Sequence, residues 1–176
     1  MEYNFSLKYQ LAEPNMDMDA LVERLGEVGC DDALVGIGQP GRIALEFIRE
    51  SRSAEAALTS ALADVKAAIP DARLIEVAPD LVGLTEVADV IGVTRQNMRK
   101  LMIGNPGDFP TPVHEGSTSI WHLAEILIWL QERGNYAIDE STLAVAQAGM
   151  QINLTKELHT RPMRPTLSKE VRTLVA

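Results

Sequence analysis

The chain has 176 residues, 46% of them apolar, with a formal net charge of −9 and an isoelectric point near 4.8. That is material for one or two cored domains. No stretch reaches the roughly eighteen apolar residues of a membrane span, and the acidic balance argues against a general nucleic-acid coat protein. A single cysteine, Cys30, excludes an internal disulfide. The N-terminus Met-Glu-Tyr-Asn-Phe-Ser lacks the basic and apolar regions of a signal peptide, so a reducing cytoplasm is the expected location.

Tyr3, Phe5, Leu7, Tyr9 and Leu11 alternate strictly, the period of a strand. Asp17 or Asp19 then opens a helix with Leu21, Val22, Leu25 and Val28 inward, and Gly29 ends it. Asp31 and Asp32 follow Cys30 at a loop, where adjacent carboxylates cap or turn rather than act as acid and base. Ala33, Val35 and Ile37 mark a second strand, Gln39-Pro40-Gly41 a turn, and Ile43, Leu45 and Phe47 a third strand. Ser53 caps a longer helix bearing Leu58, Leu62, Val65 and Ile69, which Pro70 stops. Leu74, Ile75 and Val77 supply a fourth strand before Pro79.

The order β-α-β-β-α-β predicts a ferredoxin-like unit over residues 1–79, four antiparallel strands under two helices. Its expected role is dimerisation through an edge strand or a sheet face. Metal carriers of this shape show a paired-cysteine loop that this chain lacks, and no residue signature marks a sensed ligand. Gly36, Gly38 and Gly41 spell Gly-x-Gly-x-x-Gly, but the dinucleotide fingerprint needs those glycines to open a helix. Here they lead into an alternating strand, so a hairpin is expected. Pro79 to Gly83 should join two units with almost no slack, bringing the sheet directly against the second unit.

From Leu84 the pattern changes. Thr85 is placed to cap a short helix with Val87, Ala88 and Ile91 inward; Gly92 stops it and Val93 plugs the corner. Thr94 caps a second helix with Met98 and Leu101 inward and Arg95, Gln96, Asn97, Arg99 and Lys100 outward. Two short helices about a tight glycine turn, the second lined with amides and guanidinium groups, are the parts of a DNA-reading helix-turn-helix. Arg bonds guanine O6 and N7, Asn or Gln bonds adenine N6 and N7, and Lys or Thr positions phosphates. The alternative is a solvated helix face. Gly104-Asn105-Pro106-Gly107 is loop, and Phe109 to Trp121 is a candidate β-wing whose tip offers His114, Ser117 and Thr118 to phosphate while Glu115 repels it. Trp121, Leu127 and Trp129 read as small-core residues rather than base-stacking ones.

Leu84-Thr85, Val87-Ala88, Gly92-Val93-Thr94-Arg95-Gln96, Phe109-Pro110-Thr111-Pro112-Val113, Trp121 and Trp129-Leu130 resemble the MerR/excisionase-like (AlpA-like) winged helix-turn-helix domains. The likeness spans residues 81–133. It departs in Thr94 for the usual Ser, and in His122-Leu123 where basic residues often come after the Trp. It implies a winged helix-turn-helix fold and double-stranded DNA as partner.

Charge is unevenly spread. Residues 1–79 carry seven basic and fourteen acidic side chains, 80–135 four and seven, and 136–176 five and four. Three of the four middle cations lie within Arg95 to Lys100, a focused stripe suited to a site-specific, steeply salt-sensitive binder. No nucleophile elbow, P-loop or zinc-spaced set is present, and His114, His122 and His159 form no metal pattern with Cys30, so neither an enzyme nor a cofactor is expected. Beyond residue 135, Ser141 or Asp139 caps a stretch carrying Leu143, Val145, Ala146, Met150, Ile152, Leu154 and Leu158. These keep no single stripe, leaving a strand break or a bent helix open. Arg161-Pro162-Met163-Arg164-Pro165 should be irregular, and the basic end carrying Lys169 and Arg172 is either frayed or reaches a DNA backbone or partner subunit.

These readings predict an α+β protein: a ferredoxin-like βαββαβ domain over 1–79, a winged helix-turn-helix over 80–134, and a helical tail with an irregular basic end over 135–176. The expected function is sequence-specific binding of double-stranded DNA by a homodimer, as a bacterial or phage-type transcriptional regulator. Arg95, Gln96, Asn97 and Arg99 are the expected base-readers, and Thr94 and Lys100 the phosphate contacts. The rivals are a protein-interaction adaptor whose helix-turn-helix has lost DNA binding, and a regulator gated by a small molecule through the N-terminal domain.

Overall fold

A computed structural model describes residues 1–161 and 165–175; of the stretch 161–165 expected to be irregular, 162–164 lie outside the described residues, Arg161 closes one helix and Pro165 opens the next. The described residues form a mixed α+β structure with seven helices, a four-stranded antiparallel sheet and a two-stranded one.

The first sheet is built from β1 (Glu2–Gln10), β2 (Ala33–Gly36), β3 (Arg42–Glu50) and β4 (Arg73–Ala78), in the spatial order β2-β3-β1-β4. Alternation buries Tyr3, Phe5, Leu7 and Tyr9 of β1 and Ile43, Leu45 and Phe47 of β3, with Phe5 stacked on Phe47 at 5.1 Å. Helices α1 (Met18–Glu27) and α2 (Ala54–Ala68) contribute Leu21, Leu25, Leu58 and Val65 to the same core. Asp17 is the cap of α1, its carboxylate accepting from Asp19 and Ala20 N–H, and Ser53 caps α2. Two inward assignments fail: Val22 is 43% exposed because α1 buries only the narrow row Leu21–Leu25, and Ile37 is 53% exposed because β2 ends at Gly36. The three glycines lie in and beside the β2–β3 hairpin, and Gly41 takes the positive φ (75°) of its turn.

Asp31 and Asp32 lie in the expected turn, closed by Ala33 N–H on the Cys30 carbonyl at 3.2 Å, and Asp32 has a further role. It binds buried Arg49, whose five donors are all used: Asp32 accepts two at 2.7 and 2.9 Å, Asp64 one at 2.7 Å, Ser60 one at 3.0 Å and the Gly29 carbonyl one at 2.8 Å. The hydrogen bond to Asp32, ahead of Asp64, holds the guanidinium still more firmly protonated than usual.

The chain then enters a second, smaller core. β5 (Leu81–Val82) pairs with β6 (Trp121–His122), so the expected linker supplies a strand. Helices α3 (Leu84–Val90), α4 (Arg95–Gly104) and α5 (Leu123–Glu132) pack Val87, Ala88, Met98, Leu123, Ile126, Leu127 and Leu130 around Trp121.

Residues 140–160 form one helix, α6 (Glu140–Thr160), capped by Asp139, and α7 (Pro165–Leu174) comes after it. The apolar positions of α6 keep no stripe because it serves two cores: Val145 and Ala148 face the sheet, while Leu143, Ala146 and Met150 face the second core. Gly149 lets α6 lie close to β4, since a Cβ there would lie 3.3 Å from Val77 Cγ1.

One turn later, buried Asn153 accepts from Val77 N–H at 2.8 Å and donates to the Val77 carbonyl at 2.8 Å, pairing the outer edge of β4 as a strand would. It also donates to Asp80 Oδ2 at 2.7 Å, and Asp80 Oδ1 lies 2.6 Å from His122 Nδ1. The Asp80 carbonyl accepts from Leu123 N–H at 2.7 Å, at the start of α5. One buried polar chain thus joins sheet, α6 and second core.

Asn153→Ala leaves three buried groups short of a partner, and should cost about 2–4 kcal/mol, against under about 0.5 kcal/mol for Gln151→Ala on the exposed face. Urea denaturation measures both, and equal midpoints would contradict the assignment. Burial raises the Cys30 thiol from 9.0 to about 11, with Asp64 adding, and raises the Tyr9 phenol likewise. Folding holds the thiol neutral, so the Cys30 contribution is full below about pH 9 and is lost as pH rises toward 11, where the unfolded chain ionises first. Melting temperature should fall over that window, and less for Cys30→Ala; identical profiles would contradict it.

Candidate nucleic-acid interface

The turn between α3 and α4 closes through the backbone. Val93 N–H reaches the Ala88 carbonyl at 2.9 Å and Gly92 N–H the Asp89 carbonyl at 3.3 Å, with Gly92 at φ 69°. These are the two bonds of a Schellman stop, which asks for glycine at that position. Val93 is partly buried against the second core, as a corner plug should be. The start of α3 differs from expectation: its cap is Gly83, not Thr85. The Glu86 carboxylate accepts from Gly83 N–H at 3.1 Å, so the side chain three residues into the helix serves the end that Thr85 was expected to serve.

Thr94 caps α4, its Oγ accepting from Asn97 N–H at 3.2 Å. That bond uses an oxygen lone pair and leaves the hydroxyl proton to donate outward. Met98 is fully buried, Leu101 and Met102 partly so, and this anchors one face. Arg95, Gln96, Asn97, Arg99 and Lys100 are all exposed on the first two turns. The helix brings these five and Thr94 together.

The electrostatics of α4 run against helix stability. Helices α1, α2, α3, α5 and α6 each carry an acid in the first turn (Asp19, Glu55, Glu86, Glu125 and Glu140), whereas α4 carries none and has Arg95 there. A cation at the positive end of the helix dipole is unfavourable, and Arg99 four residues on repels it. Among the described residues Arg95, Arg99 and Lys100 have no ion-pair partner, a state they share with Arg24, Arg42, Arg52, Lys66 and Arg73, while Arg133, the other cation of this unit, has one.

The remaining cation of this unit, Arg133, is structural. It stacks 4.5 Å over Trp129 and donates to Asp108 at 2.9 Å and to Asn105 Oδ1 at 2.8 Å. Asn105 in turn donates to the Leu101 carbonyl at 2.7 Å, satisfying the end of α4. Trp121 donates to the Pro110 carbonyl at 2.9 Å and Trp129 to Asp108 at 3.1 Å, and Phe109 sits edge-on to both rings. These aromatics are packing residues.

The wing is smaller than expected. Only His114 and Ile120 pair, through an isolated bridge, and the next strand, β6, turns to β5 instead. His114, Ser117 and Thr118 are exposed on the tip, and Thr118 and Ser119 lie beside Gly83 at the start of α3. They stand on a different element from the α4 set. His122 is turned inward onto Asp80. Nothing in the local sequence marked it, because its partners lie 42 residues upstream and, through Asp80, on α6. Lys169 and Arg172 are exposed on α7. No three His, Cys, Asp or Glu side chains are grouped as a metal site among the described residues, and no described helix is long and apolar enough to cross a membrane.

Compared with protein-family models, curated proteins and solved structures, the chain shows no significant match to any of them.

Arg95→Glu puts an acid at the helix start and removes the repulsion from Arg99, so it should raise stability by about 0.3–1 kcal/mol. Urea denaturation reads this directly. A loss of stability would mean that Arg95 is held by a favourable contact and is not a group left available for a ligand.

Proposed function

We propose that this chain is a sequence-specific double-stranded DNA-binding protein, acting as a homodimeric transcriptional regulator of the bacterial or phage type and not as an enzyme. The observation that carries this is α4: two turns of outward guanidinium, amide and ammonium groups, unpaired, at a helix start that every other capped helix gives to an acid. A major-groove reader uses that arrangement, because Arg and Asn or Gln form bidentate pairs with guanine and adenine edges. In this reading Arg95, Gln96, Asn97 and Arg99 contact bases, and the Thr94 hydroxyl and Lys100 contact phosphate.

The finer architecture belongs to the same proposal. Residues 81–133 are read as a winged helix-turn-helix of the MerR/excisionase-like kind, supported by the glycine stop, the Thr94 cap and the bridge at the wing. Residues 1–79 are read as ferredoxin-like, supported by the element order and the strand order β2-β3-β1-β4. A second copy would meet the outer edge of β2, which pairs with no strand among the described residues and lies beside exposed Leu34 and Ile48. The wing tip adds a weak backbone contact through His114, Ser117 and Thr118. The acidic body keeps affinity modest and steeply dependent on salt.

On a duplex with its preferred site, Arg95→Ala or Asn97→Ala should cost about 1–3 kcal/mol and relax the base preference at one position. Lys100→Ala should weaken all sequences alike and lower the salt slope by about one. Fluorescence anisotropy across matched and mismatched duplexes separates these outcomes. Equal weakening on every sequence by Arg95→Ala and Asn97→Ala would contradict base reading.

A further inference from the structure

At one end of the four-stranded sheet Gln10 of β1 faces Arg42 of β3 on one side and Arg73 of β4 on the other. The two arginines therefore stand two strand spacings apart, about 10 Å between Cα atoms. The C-terminal end of α6 adds Lys156 and its capping residue Arg161, and the four cations line a cleft of about 550 Å³ together with Leu74 and Ile75. That volume suits a small molecule.

The charge of this cleft is unlike the rest of the protein. Glu157 is the one carboxylate among its described lining residues, which makes the lining +3 on a chain of −9. Glu157 is bound to Lys156 at 2.9 Å and to Arg161 at 3.2 Å. Those two cations also complement the C-terminal end of α6, so they have a structural role. Arg42 and Arg73 have none: neither has an ion-pair partner among the described residues. Gln10 between them is committed, donating to the Leu11 and Gly41 carbonyls at 3.3 and 3.0 Å, which holds the start of β3 in place.

We propose that this cleft binds a small phosphorylated molecule carrying two phosphoryl groups. Each arginine fork takes one group bidentately, and Lys156 and Arg161 close the site from α6. The ligand would tie the end of α6 to the sheet. Because α6 also packs into the second core through Ala146 and Met150, such a ligand bears on how the two units are held. The inference does not depend on DNA binding.

Inorganic pyrophosphate is the probe, titrated into the full chain by calorimetry at constant ionic strength, with orthophosphate alongside. Saturable binding of pyrophosphate, tighter than orthophosphate and weakened at least tenfold in R42Q/R73Q, is the expected result. Lys100→Gln on α4 should leave it unchanged. Both arginines are exposed, and R73Q alone, with near-UV circular dichroism as the check of folding, serves if the double variant is unstable. No binding, binding unaffected by R42Q/R73Q, or orthophosphate binding as tightly would each overturn the proposal. So would displacement of pyrophosphate by duplex DNA together with weaker DNA binding by R42Q/R73Q, which would make the cleft a backbone contact.

Discussion

The arrangement rests on one buried amide. Asn153 reaches from α6 to take both backbone groups of Val77 and an oxygen of Asp80, and Asp80 holds His122 of β6. Each member of this chain depends on the next. Removal of His122 would leave a carboxylate that is 2% exposed without one of its two side-chain partners, and removal of Asn153 would leave the β4 edge open in the interior. A saturated network of this kind in a low-dielectric setting specifies one arrangement, because any slip of α6 along the sheet breaks several bonds together. The second core is thereby set against the sheet by geometry and not by a flexible tether.

The α4 face is the opposite case. Arg133 in the same unit is committed to Trp129, Asp108 and Asn105, and Arg49 of β3 to four partners. On α4 the three cations have no ion pair among the described residues, and Arg95 stands in the first turn where the helix dipole disfavours it. A departure from local rules inside an otherwise consistent structure is expected where function is served. The sheet-end arginines Arg42 and Arg73 are brought together by strand register rather than by helix position.

Much of this was legible in the sequence, and the reason differs by element. The strict alternation of Tyr3 to Leu11 and of Ile43 to Phe47 reports one buried face, and strand periodicity survives without knowledge of the partner. Thr94 and Ser53 were readable as caps because the bond they make is local. Thr85 misled, since the Glu86 carboxylate reached the same helix end first. α6 was unreadable as a single helix because it is buried on two sides, which erases the stripe that periodicity needs. Asp32, His122 and Asn153 were missed for a shared reason: their partners lie 17, 42 and 73–76 residues away, and spacing carries no signal over that range. The wing was overestimated because two prolines and a β5 partner redirected its second strand.

The most direct measurement is selection from a random duplex pool with the full chain, run at low and at near-physiological salt. The account predicts enrichment of one two-fold symmetric motif that survives the added salt, since paired recognition helices impose half-sites and base-edge contacts outlast phosphate contacts. A folded protein that enriches no sequence at either salt would contradict it.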